Sequence, residues 1–299
     1  MLLSSFVSAQ ENDAGEWVRV QSDNGEFSIE FPAASDFFRD NGGFYISRER
    51  ESYRLTEMRM LNAFYEKTLL SFEIYKTDSP KAVADTIADR DEKSGKQSEV
   101  KIGEAKFKQV VLEKGNRYAV RRFYTSKDYV YILTAASREG ETATMKRFLD
   151  SLRLKAGKLQ IEPAQAVNSA VKTVSFSGLK AFRLEIEQTP EPPKKPDDKN
   201  TAKTPLARDK NSLRMDIIVK PTPSYTDAAR RNRETGIIRA RVTFSKNGSV
   251  AKIDFRSVLE DGLLRETIFA AIRTKFIPAE KNGEPTTVTN TVEYNFNIY

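Results

Sequence analysis

Cysteine and histidine are both absent from the 299 residues. Their absence removes disulfides, thiol nucleophiles, zinc sites of the usual Cys/His kind and every Ser-His-Asp arrangement. It also excludes a lipid anchor built on an amino-terminal cysteine. No run approaches the roughly 18 apolar residues of a membrane-spanning helix. The longest strongly apolar stretch, YVYILTAA at 129–136, is strand-sized. Carboxylates are plentiful, but nothing in the order of residues gathers two of them into an acid/base pair. Neither an enzyme nor a bound cofactor or metal is expected.

Hydrophobic residues make up 39% of the chain and charged residues 30%, a composition for soluble globular structure. The length allows two domains, each with its own core. The net charge of +7 is modest. Residues 213–299 carry 14 Lys+Arg against 10 Asp+Glu. A nucleic-acid binder concentrates its charge into a stripe with interleaved aromatics. Here only Arg230, Arg231 and Arg233 cluster, with Arg239 and Arg241 nearby, which reads as a solvated face.

The amino end, MLLSSFVSAQENDAGE, has a short apolar piece, a small-x-small ending at Val7-Ser8-Ala9 and a polar start. It reads as the remnant of a secretory signal over 1–15, pointing to an exported protein of the periplasm or cell envelope. An ordinary frayed terminus is the alternative. Inner-membrane anchoring would need a segment upstream of Met1.

Residues 16–155 alternate strand patterns with two helical ones. WVRV (17–20), a turn at Asp23-Asn24-Gly25 and FSIEF (27–31) are followed by alternating segments around 43–49, 53–61 and 67–76. SPKAVADTIADRDEK (79–93) has a Ser79 cap and a proline in the first helical position. Strands are expected at about 99–113, 117–125 and 128–136. A second helix over 141–154 would place Met145, Phe148, Leu149 and Leu152 on one stripe. The order predicts an α+β domain, an antiparallel sheet with helices packed on it. SDNGEFSIEFP (22–32), the mid-domain helix and FLDSLRL (148–154) resemble the PsbP-like domains of exported bacterial proteins, a resemblance that implies a fold and no particular function.

VKTVSFSGLKAFRLEIEQ (171–188), within 156–189, could form an extra β-hairpin through Ser177-Gly178, either extending the first sheet or standing as a satellite. Residues 190–212, rich in Pro, Lys and Asp, read as an extended linker reaching at most ~70 Å.

The carboxy-terminal unit, 213–299, opens with KPTPSYTDAARRNRETG (220–236). Pro221 and Pro223 hold the backbone extended until Tyr225. Thr226 is placed to cap a helix and Gly236 to end it. Ile238, Ala240, Val242 and Phe244 then alternate inward up to the Asn247-Gly248 hairpin turn. A helix over about 261–275, stopped by Pro278, and a second Asn-Gly turn at 282–283 lead to the last strand, TTVTNTVEYNFNIY.

Helix, two strands, helix and strand, with Pro221, Pro223, Tyr225, Ala229, Arg230, Gly236, Gly248, Phe276, Pro278, Ala279 and Gly283 at the marked positions, resemble the TonB C-terminal domain family. Thr226 departs from the proline that many members carry there. The resemblance implies an energy-transducer-like module that binds the short TonB box of an outer-membrane TonB-dependent receptor. The peptide would add as a strand to the domain's last strand. Carried over to this sequence, the partner-peptide site comprises Val219, Thr222, Pro223, Tyr225 and Arg230 of the lead-in and helix. From the last strand it takes Thr287, Thr289, Thr291, Glu293, Asn295, Asn297 and Tyr299. About five backbone bonds at a net 0.5–1.5 kcal/mol fall short of the ~8 kcal/mol of a micromolar complex, so side chains must supply the rest. A full transducer of this family also has an amino-terminal membrane helix and a long Pro/Lys linker, and this chain shows neither. The alternative is a structural or self-associating protein, for instance a homodimer through the last strand, whose amino-terminal domain binds an unknown ligand or lipid.

Overall fold

The structure, a computed structural model, describes residues 17–23, 25–33, 43–44, 48–50, 53–91, 95–102, 105–154, 172–175, 185–189 and 213–297. The expected signal remnant, the linker over 190–212, the Ser177-Gly178 turn and Tyr299 lie outside them.

The first strands are β1 (Trp17–Gln21), β2 (Phe27–Pro32), β3 (Gly43–Phe44), β4 (Arg48–Arg50), β5 (Tyr53–Tyr65) and β6 (Thr68–Thr77). Helix α1 (Pro80–Asp91) precedes β7 (Lys96–Ile102), β8 (Ala105–Lys114), β9 (Arg117–Thr125) and β10 (Tyr129–Ser137). Helix α2 (Ala143–Leu149) leads to β11 (Arg153–Leu154), β12 (Lys172–Ser175) and β13 (Glu185–Gln188). The carboxy-terminal unit runs β14 (Asp216–Val219), α3 (Asp227–Asn232), β15 (Gly236–Phe244), β16 (Val250–Phe255), α4 (Leu263–Ile272) and β17 (Lys275–Ile277). It closes with β18 (Ala279–Lys281), β19 (Glu284–Thr286) and β20 (Val288–Phe296).

The fold is α+β and dominated by antiparallel sheet. An eight-stranded sheet has the order β3-β5-β6-β10-β9-β8-β7, with β4 beside β5. A four-stranded sheet runs β11-β2-β1-β12, and the carboxy-terminal one β13-β16-β15-β20. Period-two alternation gives the large sheet two buried faces. Leu70, Phe72 and Ile74 of β6 pack with Val20, Ile29 and Phe31 of the small sheet and with Met145 and Phe148 of α2.

Local differences from the sequence pattern have identifiable causes. The stretch 99–113 is not one strand but the hairpin of β7 and β8. The β5–β6 turn uses Glu66 and Lys67, both at positive φ (44° and 56°), with no glycine to announce it. Helix α2 stops at Leu149, and Leu152 is buried from the stretch that turns into β11, which pairs with β2. The two strands of 171–188 do not form a hairpin. β12 lies parallel to β1, and β13 lies parallel to β16 in the other unit's sheet.

The second face of the large sheet is covered by α1 and by the carboxy-terminal unit. Met58, Met60, Tyr75, Phe123 and Ile132 share one apolar cluster with Val83 and Ile87 of α1 and with Phe244, Phe269, Ile272 and Phe276. Gly248 of the Asn-Gly turn presses against β6, where a Cβ would stand 2.4 Å from Leu69 Cδ1. Arg138 donates to Asp216 (2.7 Å), Glu280 (2.6 Å) and the Pro278 carbonyl (3.1 Å). Arg117 donates to the Ile217 carbonyl at 3.1 Å.

At the centre of this joint lies an ionic cluster with almost no solvent contact. Glu73 of β6 forms an ion pair with Lys275 of β17 at 2.9 Å, with Arg121 at 3.6 Å and Arg273 at 3.8 Å. The Tyr75 hydroxyl donates to Glu73 and accepts from Arg273. Arg121 also donates to Thr134 at 3.0 Å. Burial opposes the Glu73 charge, but Lys275, Arg121, Arg273 and the Tyr75 hydroxyl together bring its pKa down to about 2. Burial pulls Lys275 down to about 8 against the attraction of Glu73, and the two arginines add to the fall.

Both shifts carry a sign. A carboxyl with a depressed folded pKa contributes stability above its unfolded value near 4.5 and loses it as the pH drops towards 2. A lysine with a depressed folded pKa is held less tightly by its proton than in the unfolded chain, so stability rises from about pH 8 to 10.5. Melting curves against pH should show the acid loss in wild type and a smaller one in Lys275→Met, because Lys275 is the largest of the contributions that hold the Glu73 pKa down. The alkaline rise should appear in wild type and be missing from Lys275→Met.

Candidate functional site: the β20 edge

The lead-in to this site is fixed from both ends. β14 pairs with β17, and Val219 stands opposite Lys275 with its side chain buried. Its side chain is therefore core, and only its backbone is available to a partner. Pro221 is buried, Pro223 half-buried and Thr222 exposed. The Tyr225 hydroxyl donates to the Glu234 carbonyl, and its ring meets Phe296 edge-on at 5.8 Å. Tyr225 thus docks the lead-in onto the last strand.

Thr226 caps α3 as expected, accepting from the Ala229 amide at 3.0 Å. Gly236 does not end that helix. Arg233 does so in the left-handed region (φ 53°), with the Glu234 amide on the Ala229 carbonyl at 2.9 Å. Gly236 instead opens β15, where a Cβ would meet Leu259 at 3.0 Å. Arg230 is exposed and faces Asp227 at 3.6 Å, an exposed pair of little energetic weight.

Among the described residues β20 pairs with β15 alone, along nine positions, so it is a sheet edge. Arg239 gives its carbonyl to the Arg256 amide (2.8 Å) and its amide to the Ser257 hydroxyl (2.9 Å). Both its backbone groups therefore point to the β16 side. Its partner across the ladder, Glu293, must be in a non-bonded pair, with its own N–H and C=O turned outward. By the two-residue period the same holds for Thr289, Thr291 and Asn295. These four residues supply the backbone groups of the edge, and their side chains are exposed on the solvent face.

The other sequence-derived positions divide. Thr287 precedes β20 and its hydroxyl accepts from the Lys246 amide at 3.2 Å. The Thr289 hydroxyl lies 3.0 Å from that of Thr243. Glu293 pairs with Arg239 at 2.8 Å, and Asn297 is exposed just past the strand.

Lys220 is a contact the sequence reading missed. Its ammonium donates to the outward Glu293 carbonyl (3.3 Å) and lies 5.3 Å from the Tyr294 ring centre. This contact places the lead-in beside the edge strand. A lysine set next to a β-run is a common guard of open edges, and that was the signal available. Burial raises the Tyr294 hydroxyl pKa well above its ordinary value, so it stays neutral beside Lys220. Among the described residues no group of three or more Asp or Glu could hold a metal, and no helix is long and apolar enough to cross a membrane.

Residues 221–298 match the family model described as Gram-negative bacterial TonB protein C-terminal. No curated protein matches the chain. A crystal structure from Bacteroides thetaiotaomicron VPI-5482 is similar at 12% identity over 46% of this chain and 48% of that one, with a TM-score of 0.27, too distant to bear on the fold. This chain thus spans about half the length of that protein. The PsbP-like resemblance of 16–155 is not confirmed by these comparisons. Over the carboxy-terminal stretch, marked residues, element order and family model coincide, and residues 221–298 are a TonB C-terminal domain.

Proposed function

We propose that this is a cell-envelope protein whose TonB-like domain binds an extended receptor peptide of the TonB-box kind by strand addition at β20. The reaction class is recognition without chemistry, in outer-membrane transport or a related envelope interaction. The observation that supports it most is the β20 edge itself. It is nine residues long, free of proline and glycine, and the backbone groups of Thr289, Thr291, Glu293 and Asn295 face outward.

A guest strand has its backbone donors and acceptors met by that row. At Glu293 the guest N–H takes the place of the Lys220 ammonium, which returns to water at small cost because it is exposed. Thr222 and Pro223 flank the same end and supply side-chain contact. The fixed lead-in means that little of the site has to be ordered on binding, which favours affinity.

The test uses the full chain, a TonB-box peptide and the Thr291→Pro variant. Thr291 turns its N–H away from β15, so proline there leaves the internal ladder intact and removes one outward donor. Calorimetric titration should show reversible binding to wild type and at least a tenfold loss in the variant, with melting temperatures alike. Equal binding by both proteins would mean that the peptide does not add at this edge.

A further inference from the structure

The carboxy-terminal sheet has two edges, and they are treated differently. Among the described residues β20 is open, whereas the outer side of β16 is occupied by the chain's own β13 in parallel register, Glu185 to Gln188 against Lys252 to Phe255. β13 brings almost nothing to a core. All four of its side chains are exposed, and its single apolar one, Ile186, is 46% exposed. Its hold consists of backbone bonds, extended by the Thr189 amide on the Phe255 carbonyl (2.9 Å), and of Lys252 reaching Glu187 at 2.7 Å and Glu185 at 3.7 Å. Parallel pairing and exposed ion pairs are both weak fastenings. A strand that adds no core and fills an edge acts as a cover.

We propose that β13 is a guard strand for the β16 edge, and that the partner it excludes is the β20 edge of a second copy of this chain. The two edges fit each other chemically. β16 presents Lys252 where β20 carries an exposed Glu293, which would stand in for Glu187, and β20 is the longer strand, at nine residues against six. They are different surfaces, so pairing between copies is heterologous and does not close on itself. Removing the guard therefore turns a monomer into a growing series. Within one chain the guard is present at an effective concentration near millimolar, which outcompetes a second copy at ordinary concentrations. This inference does not depend on peptide binding at β20.

Backbone direction supplies matched variants. The Thr189 amide points to β16, so by alternation the Glu187 amide does too, while that of Ile186 points away. Sedimentation of the full-length protein from micromolar to sub-millimolar concentration is the measurement. Wild type and Ile186→Pro should stay monomeric. Glu187→Pro should show a weight-average mass that at least doubles and keeps rising with concentration. Adding Thr291→Pro to Glu187→Pro should return it to a monomer. Glu187→Lys, which sets β13 against Lys252 and leaves Lys252 for Glu293 of the second copy, should associate in the same direction, more so at low salt. A monomeric Glu187→Pro, or association that survives Thr291→Pro, or self-association of wild type, overturns the proposal.

Discussion

Glu73→Gln should destabilise the protein by about 3–5 kcal/mol, close to the largest effect a single charged-to-neutral change at a buried site can produce. The carboxylate is the common anion of Lys275, Arg121 and Arg273, and all four groups are buried. Glutamine keeps the shape and one hydrogen bond but leaves three cations without that counter-charge. Burying a charge without its partner costs more than the intact pair contributes. Urea unfolding followed by circular dichroism gives the free energy. Glu73→Gln with Lys275→Met should recover part of the loss, because one of the stranded cations is gone. A single variant within about 1 kcal/mol of wild type would show that the cluster is not the fastening of the two units.

Phe276→Ala should cost about 3–5 kcal/mol, the usual range for emptying an aromatic site in a tight core. Phe276 is fully buried, and its ring meets Phe244 edge-on at 4.9 Å. It sits between Lys275 and Ile277, and each of these faces the large sheet or its rim. By alternation Phe276 faces the other way, so the cavity opens inside the carboxy-terminal unit against Phe244. A fall of roughly 10 °C in melting temperature is expected for a cooperative unit of this size. Binding of a TonB-box peptide, measured well below that temperature, should change little, since Phe276 has no access to the β20 edge. A variant that melts like wild type but no longer binds would reverse that assignment.

Much of the carboxy-terminal unit is legible because its signals are local. Pro221 and Pro223 fix dihedrals, Thr226 has one amide to cap, and Asn247-Gly248 turns where two strands must meet. Helix α4 is shorter at each end than its apolar spacing suggests, since Gly262 and Arg273 close it. The end of α3 misled because a left-handed arginine did what glycine usually does. The joint is illegible for a different reason. In LLSFEIY one face reads apolar and the other carries Ser71, Glu73 and Tyr75, the pattern of a half-solvated strand. That second face is instead covered by residues about 200 positions later, and no local period encodes which distant segment supplies the cover. β13 is hidden similarly: EIEQ has no strong strand pattern, and only the acceptor strand gives it a place. The four outward-facing positions on β20 are simpler to read, for alternation alone selects them.

The interlock of Tyr75 with Arg273 spans 198 residues of chain. At the usual pace of protein synthesis, about 5–20 residues per second, some ten to forty seconds separate the emergence of the two. Throughout that interval the wide sheet has a bare oily side around Met58, Met60 and Phe123, with an acid at its centre that has Arg121 but still lacks Arg273 and Lys275. Maturation is thus a waiting problem, with the early half exposed to misassociation until the final stretch arrives to seal it.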